Sequence, residues 1–87
     1  TREWYPFKQM KLYENHISTS QEDGDLQGEI SLMLDLGRVQ MNVGYYGEAY
    51  NQFIRSKILA ESYTTLKYDP KLEYCYARCL YYLCKTL

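Results

Sequence analysis

Three cysteines crowd into one short segment, Cys75, Cys79 and Cys84, and they are the first residues in the chain whose chemistry asks for an explanation. Cys75 and Cys79 lie four apart, so on a helix they share a face and could offer two thiolates to a metal. Cys84 is five positions further on and points elsewhere. Structural zinc needs four ligands within reach, and the single histidine, His16, has no second histidine or helical carboxylate pattern beside it. The expectation is therefore no metal: the cysteines read as buried packing residues, since free cysteine is among the most often buried types, and His16 reads as a packed or solvated residue. The acidic run Glu22, Asp23 and Asp25 lacks the spacing and terminal glutamate of a calcium loop and reads as a linker whose charges favour the N-terminus of the following helix. No glycine-rich phosphate loop, nucleophile elbow or HExxH helix occurs. Neither catalytic residues nor a cofactor are expected, and the chain does not read as an enzyme.

Composition narrows the partners. With 87 residues the chain makes one small domain, residues 1–87, whose stability is marginal because it buries a modest share of its unfolded surface. Ten basic against eleven acidic residues leave a formal charge of −1, without the positive excess that binding to a phosphate backbone needs, so nucleic acid is not expected as a partner. No stretch approaches the roughly 20 apolar residues that span a bilayer, and residues 1–10 lack the charged-then-apolar layout of a secretory signal. No membrane association is expected, and the default compartment is cytoplasmic. The odd, clustered cysteines agree, being unlike the dispersed even set of a disulfide scaffold. Eleven tyrosines stand against two phenylalanines and one tryptophan; tyrosine suits half-buried surfaces and interfaces, where the ring packs and the hydroxyl stays wet, although a bias of composition explains the excess equally well.

The elements that position these residues should all be helices. Met10, Tyr13 and Ile17 recur at intervals of three and four after Pro6, which suits a first helical turn, giving a helix at 6–21. Asp23-Gly24-Asp25 breaks the pattern. Ile30, Met33, Leu34, Leu36, Val39, Met41 and Val43 form a broad apolar face ending at Gly44, a good C-terminal cap, for a second helix at 26–43. Tyr46, Ala49, Tyr50, Phe53, Ile54 and Ile58 give a third at 46–65. The connection between them is so short that the two must be antiparallel neighbours. Asp69-Pro70 is an N-cap followed by proline at the first helical position, opening a fourth helix to about residue 86.

A repeat runs through this pattern. In the stretch LMLDLGRVQMNVGYYGEAYNQF, the residues Met33, Leu36, Gly37, Gly44, Tyr46, Ala49 and Phe53 resemble the signature of the tetratricopeptide repeat, with Gln40 standing where a tyrosine is usual. Gly37 and Ala49 are where two helices approach too closely for a larger side chain, and Phe53 fills the space beside them. A shift of 40 lays Pro6, Gln9, Tyr13 and Ile17 over Tyr46, Ala49, Phe53 and Lys57; a shift of 44 lays Glu73, Tyr74, Ala77, Leu80 and Leu83 over Glu29, Ile30, Met33, Leu36 and Val39. The chain then reads as one complete repeat at 26–65, preceded by the second helix of an upstream repeat (6–21) and followed by the first helix of a downstream one (70–86). Spacings of 40 and 44 exceed the standard 34 and are similar to the long-helix variety of the family found in kinesin light chain, whose linkers the GDLQGE stretch resembles.

The resemblance implies an all-α fold of antiparallel helix hairpins in a right-handed superhelix, a solenoid fragment of about four helices. It also implies protein binding in the concave groove formed by the first helix of each repeat. With Ile30 as the first position of the unit, the groove residues should be Ser31, Leu34, Arg38, Met41 and Asn42, with Cys75, Arg78, Tyr82 and Lys85 as counterparts in the last helix. Arg38 and Asn42 lie one turn apart and can reach the same ligand segment, and Arg78 and Lys85 add positive charge, so a peptide with an acidic segment or a free carboxylate is the expected partner. The plainer reading of each residue is an ordinary solvated helix position. A scaffold for protein interaction is the leading function; a regulatory module in which a captured peptide drives a change of conformation is the alternative, and a small helical metal protein follows behind. Solenoid ends expose apolar surface, here Leu80, Leu83 and Leu87, so the chain should either belong to a longer array or self-associate through its terminal helices.

Overall fold

The computed structural model describes residues 5–64 and 69–86, which form four helices: α1 (Tyr5–Asp23), α2 (Leu26–Asn42), α3 (Tyr46–Thr64) and α4 (Pro70–Thr86). Among the described residues there is no strand, and no helix is long and apolar enough to cross a membrane. The fold is all-α. The expected boundaries hold to within two residues. α1 reaches Asp23 rather than residue 21, and α2 ends one residue early; residues 65 and 87, to which the sequence reading extended, lie outside the described residues.

The stops between α1, α2 and α3 share one device. Gly24 and Gly44 adopt φ of 70° and 90°, a left-handed conformation that glycine enters without a Cβ penalty. In each case the glycine N–H and the N–H after it fold back onto the last turn: Gly24 to Gln21 O and Asp25 to Ser20 O, Gly44 to Met41 O and Tyr45 to Gln40 O. That pairing satisfies helix-end carbonyls that would otherwise be orphaned. Asp25 then caps α2 by accepting the Gly28 N–H at 3.0 Å, and Asp69 caps α4 by accepting the Lys71 N–H at 3.0 Å, the N-cap role its place before Pro70 predicts.

Side-chain pairings give each neighbour relationship its direction. Gln21 Nε2 donates to Glu29 across the α1–α2 turn at 3.1 Å, while the Phe7 and Tyr45 rings meet at the far end, 5.8 Å between centroids. Phe53 stacks on Tyr82 at 5.2 Å, and one end further along the Tyr76 hydroxyl donates to Glu61 at 3.0 Å, so α3 and α4 are antiparallel too. α4 also rests directly on α2. Arg78 reaches Ser31 and Asp35 there, and because α2 and α4 are each antiparallel to α3, they run parallel to one another.

Ile30, Leu34, Ala49, Phe53, Ala60, Leu72, Cys75 and Cys79 form one buried cluster drawn from α2, α3 and α4. Gly37 lies flat against the Phe53 ring: a Cβ added at Gly37 would come within 2.7 Å of Phe53 Cζ, closer than carbon atoms pack. The small residue is a steric requirement, as the sequence implied. Gln40, the departure from the repeat signature, is buried, and its Oε1 has no hydrogen-bond partner among the described residues. A buried acceptor without a partner costs about 1–3 kcal/mol, so Gln40→Met, which keeps the shape and removes the amide, should raise unfolding free energy by about 1 kcal/mol. Urea denaturation followed by circular dichroism checks it, and a less stable variant would mean that the amide has a role in the fold.

Candidate functional site

α2 and α4 run side by side, and near their C-terminal ends Arg38, Met41, Asn42, Tyr82 and Lys85 line an open cleft of about 270 Å³. Five of the nine residues expected to face a peptide therefore converge in one place. Arg78 lies one turn below Tyr82 and ties the two helices together, donating to Ser31 Oγ at 3.3 Å and to Asp35 Oδ1 at 3.4 Å. Ser31 is thus part of the helix–helix contact and only half exposed.

Leu34 departs from the expectation. It is fully buried in the core cluster beside Cys75 and Cys79, because α4 packs on α2 at that level and closes the face that a first-helix position would leave to a ligand. Cys75, expected as a groove counterpart, is buried for the same reason. The groove is correspondingly shorter than the repeat register implies. It opens only over the last turns of the two helices.

Asp35 is the residue that sequence reasoning missed. Its Oδ1 lies 3.4 Å from Arg38 Nη1 and 3.4 Å from Arg78 Nη2, so one carboxylate holds two of the three cations of the groove. Its i,i+3 spacing to Arg38 was legible in the sequence; its reach to a residue 43 positions away was not. Lys85 is held differently, with Nζ 4.9 Å above the Tyr81 ring centroid, a cation–π contact. A hydrogen bond from Lys85 to Tyr81 pushes the lysine pKa above its ordinary value, with the nearby phenol charge adding to it. Arg38, Arg78 and Lys85 against Asp35 leave the groove with a formal charge of +2. The carbonyl ends of α2 and α4 each contribute roughly −0.5, which reduces the excess without reversing it.

Tyr82 connects this surface to the core. Its ring lies nearly parallel to Phe53, at 16°, and Phe53 in turn lies on Gly37. The floor of the groove is thereby fixed by the same stack that sets the spacing of α2 and α3. A second cleft of about 270 Å³ lies between α2 and α3, lined by Glu29, Met33, Arg55, Ile58, Leu59 and Ser62. Its two charges are opposite, so it presents no net attraction to either sign.

The thiols are placed against reactivity. Cys75 and Cys79 are buried and Cys84 is exposed, and among the described residues no group of three or more His, Cys, Asp or Glu side chains could hold a metal. Burial pushes the Cys75 thiol up, and it pushes Cys79 up to about 11, with repulsion from Cys75 adding to it. The thiolate is the reactive form. Under native conditions one thiol per chain, Cys84, should react promptly with a disulfide reagent and all three after denaturation; prompt reaction of three in the native state would contradict the burial. Because the folded thiol of Cys79 holds its proton more tightly than the unfolded one, its contribution to stability is complete below pH 9 and is lost as pH rises towards about 11. His16 is exposed on α1.

Comparisons of the chain with protein families, with curated proteins and with solved structures find no match.

Proposed function

We propose that the chain is a protein-interaction module of tetratricopeptide type, and that it captures an acidic peptide segment in the groove between α2 and α4. The observation that carries this reading is the convergence of Arg38, Met41, Asn42, Tyr82 and Lys85 in one cleft with a surplus of positive charge. Guanidinium and ammonium groups supply charge-assisted hydrogen bonds to carboxylates. Asn42 adds an amide able to donate to a peptide carbonyl and accept from its N–H, while Met41 and the ring of Tyr82 offer apolar contact between the charges. The helices that form the cleft are rigidly seated on the core, so little ordering accompanies binding. On this reading the module acts as a scaffold, and the helices need not move.

A fluorescently labelled peptide alternating glutamate with leucine, titrated at low salt, tests the proposal against a lysine–leucine counterpart. The acidic peptide should bind and the basic one should not. Arg38→Ala combined with Lys85→Ala should weaken binding about tenfold or more, each lost contact to a charged group being worth roughly 1.5–3 kcal/mol before screening. Equal affinity of the two peptides, or indifference to the double substitution, would remove the groove from consideration.

A further inference from the structure

Two exposed tyrosines of α4, Tyr74 and Tyr81, each carry a cation. In both cases the cation stands four residues further on, where a helix brings side chains together: Arg78 Cζ lies 5.9 Å from the Tyr74 ring centroid, and Lys85 Nζ lies 4.9 Å from that of Tyr81. The two pairs differ in what else holds the cation. Arg78 is fixed from α2 by Ser31 Oγ and Asp35 Oδ1, so the Tyr74 ring adds a contact to a side chain already in place. Lys85 is exposed, and among the described residues no carboxylate pairs with it; the ring and hydroxyl of Tyr81 are what hold it. Tyr81 touches a second groove residue too. Its ring meets that of Tyr82 edge-on, 5.3 Å between centroids and at 71°, while Tyr82 is stacked on Phe53. Tyr81 itself is not among the residues that line the cleft.

We infer, resting on the reading of this cleft as a peptide groove, that Tyr81 is its positioning residue: the ring holds the Lys85 ammonium and the Tyr82 ring in the arrangement that receives the peptide. Lysine carries its charge on a flexible four-carbon stem, and immobilising such a side chain on binding costs affinity. A lysine already resting on a ring has given up much of that freedom before the ligand arrives. The contact does not withdraw Lys85 from the groove, since the lysine lines the cleft in the same arrangement in which it lies over Tyr81. A ring also leaves the charge intact. It attracts the cation through its quadrupole, and the ammonium, with three donors, keeps the capacity to bond a carboxylate on its other side. An acidic residue at the same place would orient Lys85 and neutralise it, as Asp35 does for Arg38 and Arg78.

An order of effects follows. Tyr81→Leu keeps an apolar side chain of good helix propensity and removes the ring, so the acidic peptide should bind about threefold or more weakly. Tyr81→Phe keeps the ring, with its face for Lys85 and its edge for Tyr82, and should stay within about twofold of the unsubstituted chain. Tyr74→Leu removes an equally exposed ring from the same helix, but its cation is anchored from α2, and affinity should again stay within about twofold.

Titration of the labelled peptide of alternating glutamate and leucine at low salt, against these three variants and against Tyr81→Leu in a Lys85→Ala background, tests the role, with NMR of the Lys85 side chain in the peptide-free protein beside it. Without Lys85 the loss caused by Tyr81→Leu should shrink to about half or less, because most of what the ring positions is gone. In the free protein the Lys85 ε-methylene should resonate upfield under the ring current of Tyr81 and return to the ordinary lysine position in Tyr81→Leu, with helicity unchanged by circular dichroism. Peptide affinity unchanged or raised in Tyr81→Leu, an equal loss in Tyr81→Phe or Tyr74→Leu, an equal loss in the absence of Lys85, or a Lys85 signal indifferent to Tyr81→Leu would each overturn the positioning role and leave the groove standing. No binding of the acidic peptide by the unsubstituted chain would overturn the groove and the role together.

Discussion

Replacing Phe53 with alanine should cost about 3–5 kcal/mol of stability, the range for removing a buried phenylalanine together with the cavity it leaves. A domain of this size has roughly 5–15 kcal/mol in all, and small domains sit at the low end. Phe53→Ala should therefore bring the folded state close to balance at room temperature, seen as a urea midpoint moved towards zero. Phe53 is exceptional because it serves two contacts at once: one side of its ring lies on Gly37, and it stacks with Tyr82. Gly37, against which the ring lies, has no side chain to fill the space from that side. The complementary change, Gly37→Ala, should destabilise by about 1–3 kcal/mol through overpacking, because the new methyl would sit 2.7 Å from Cζ unless the ring moved. Its displacement would carry Tyr82 with it, so Gly37→Ala should also weaken peptide binding although Gly37 lies outside the groove. An unchanged midpoint in Phe53→Ala would show that the stack does not hold the helices together.

How much of this was legible beforehand follows from which interactions are local. The helices were readable because their apolar positions recur at three and four residues and their ends are marked by Gly24, Gly44 and Asp69, whose turn and cap chemistry acts within a few residues. The Gly37–Ala49–Phe53 contact was readable because small residues at 37 and 49 and an aromatic at 53, on either side of a short connection, encode one helix pair. What lay out of reach was the consequence of α4 resting on α2. That contact buries Leu34 and Cys75, which the register assigned to a groove, and it brings Asp35 to Arg78. Periodicity says which face of a helix is apolar; it does not say how far along the helix a neighbour's cover extends. Gln40 is a third instance, a polar residue that the wheel places among apolar ones and whose cost only the buried, unpartnered Oε1 makes visible.

Asp35 separates the two meanings that the arginines can have. If the two arginines serve only the fold, Arg38 within α2 and Arg78 between α4 and α2, removing their shared carboxylate loosens the fold and leaves peptide affinity unchanged. If they serve the groove, Asp35 competes with the ligand for them, and its removal frees both. Asp35→Asn keeps the size and an acceptor oxygen while taking away the charge, so the groove goes from a formal +2 towards +3. One unit charge a few ångströms from a bound carboxylate is worth about 1 kcal/mol in a watery setting, so the acidic peptide should bind about fivefold more tightly at low salt. The gain should shrink as ionic strength rises and the Debye length falls below the separation. Stability should move the other way, by less than about 1 kcal/mol, since the Arg38 pair is largely exposed and the Arg78 pair only partly buried. Opposite signs in the two measurements, tighter binding in a slightly weaker fold, are what a ligand-facing role for Arg38 and Arg78 requires. Asp35→Asn with unchanged or lower affinity would assign Arg38 and Arg78 to the fold and leave peptide capture, among the described residues of that cleft, to Lys85.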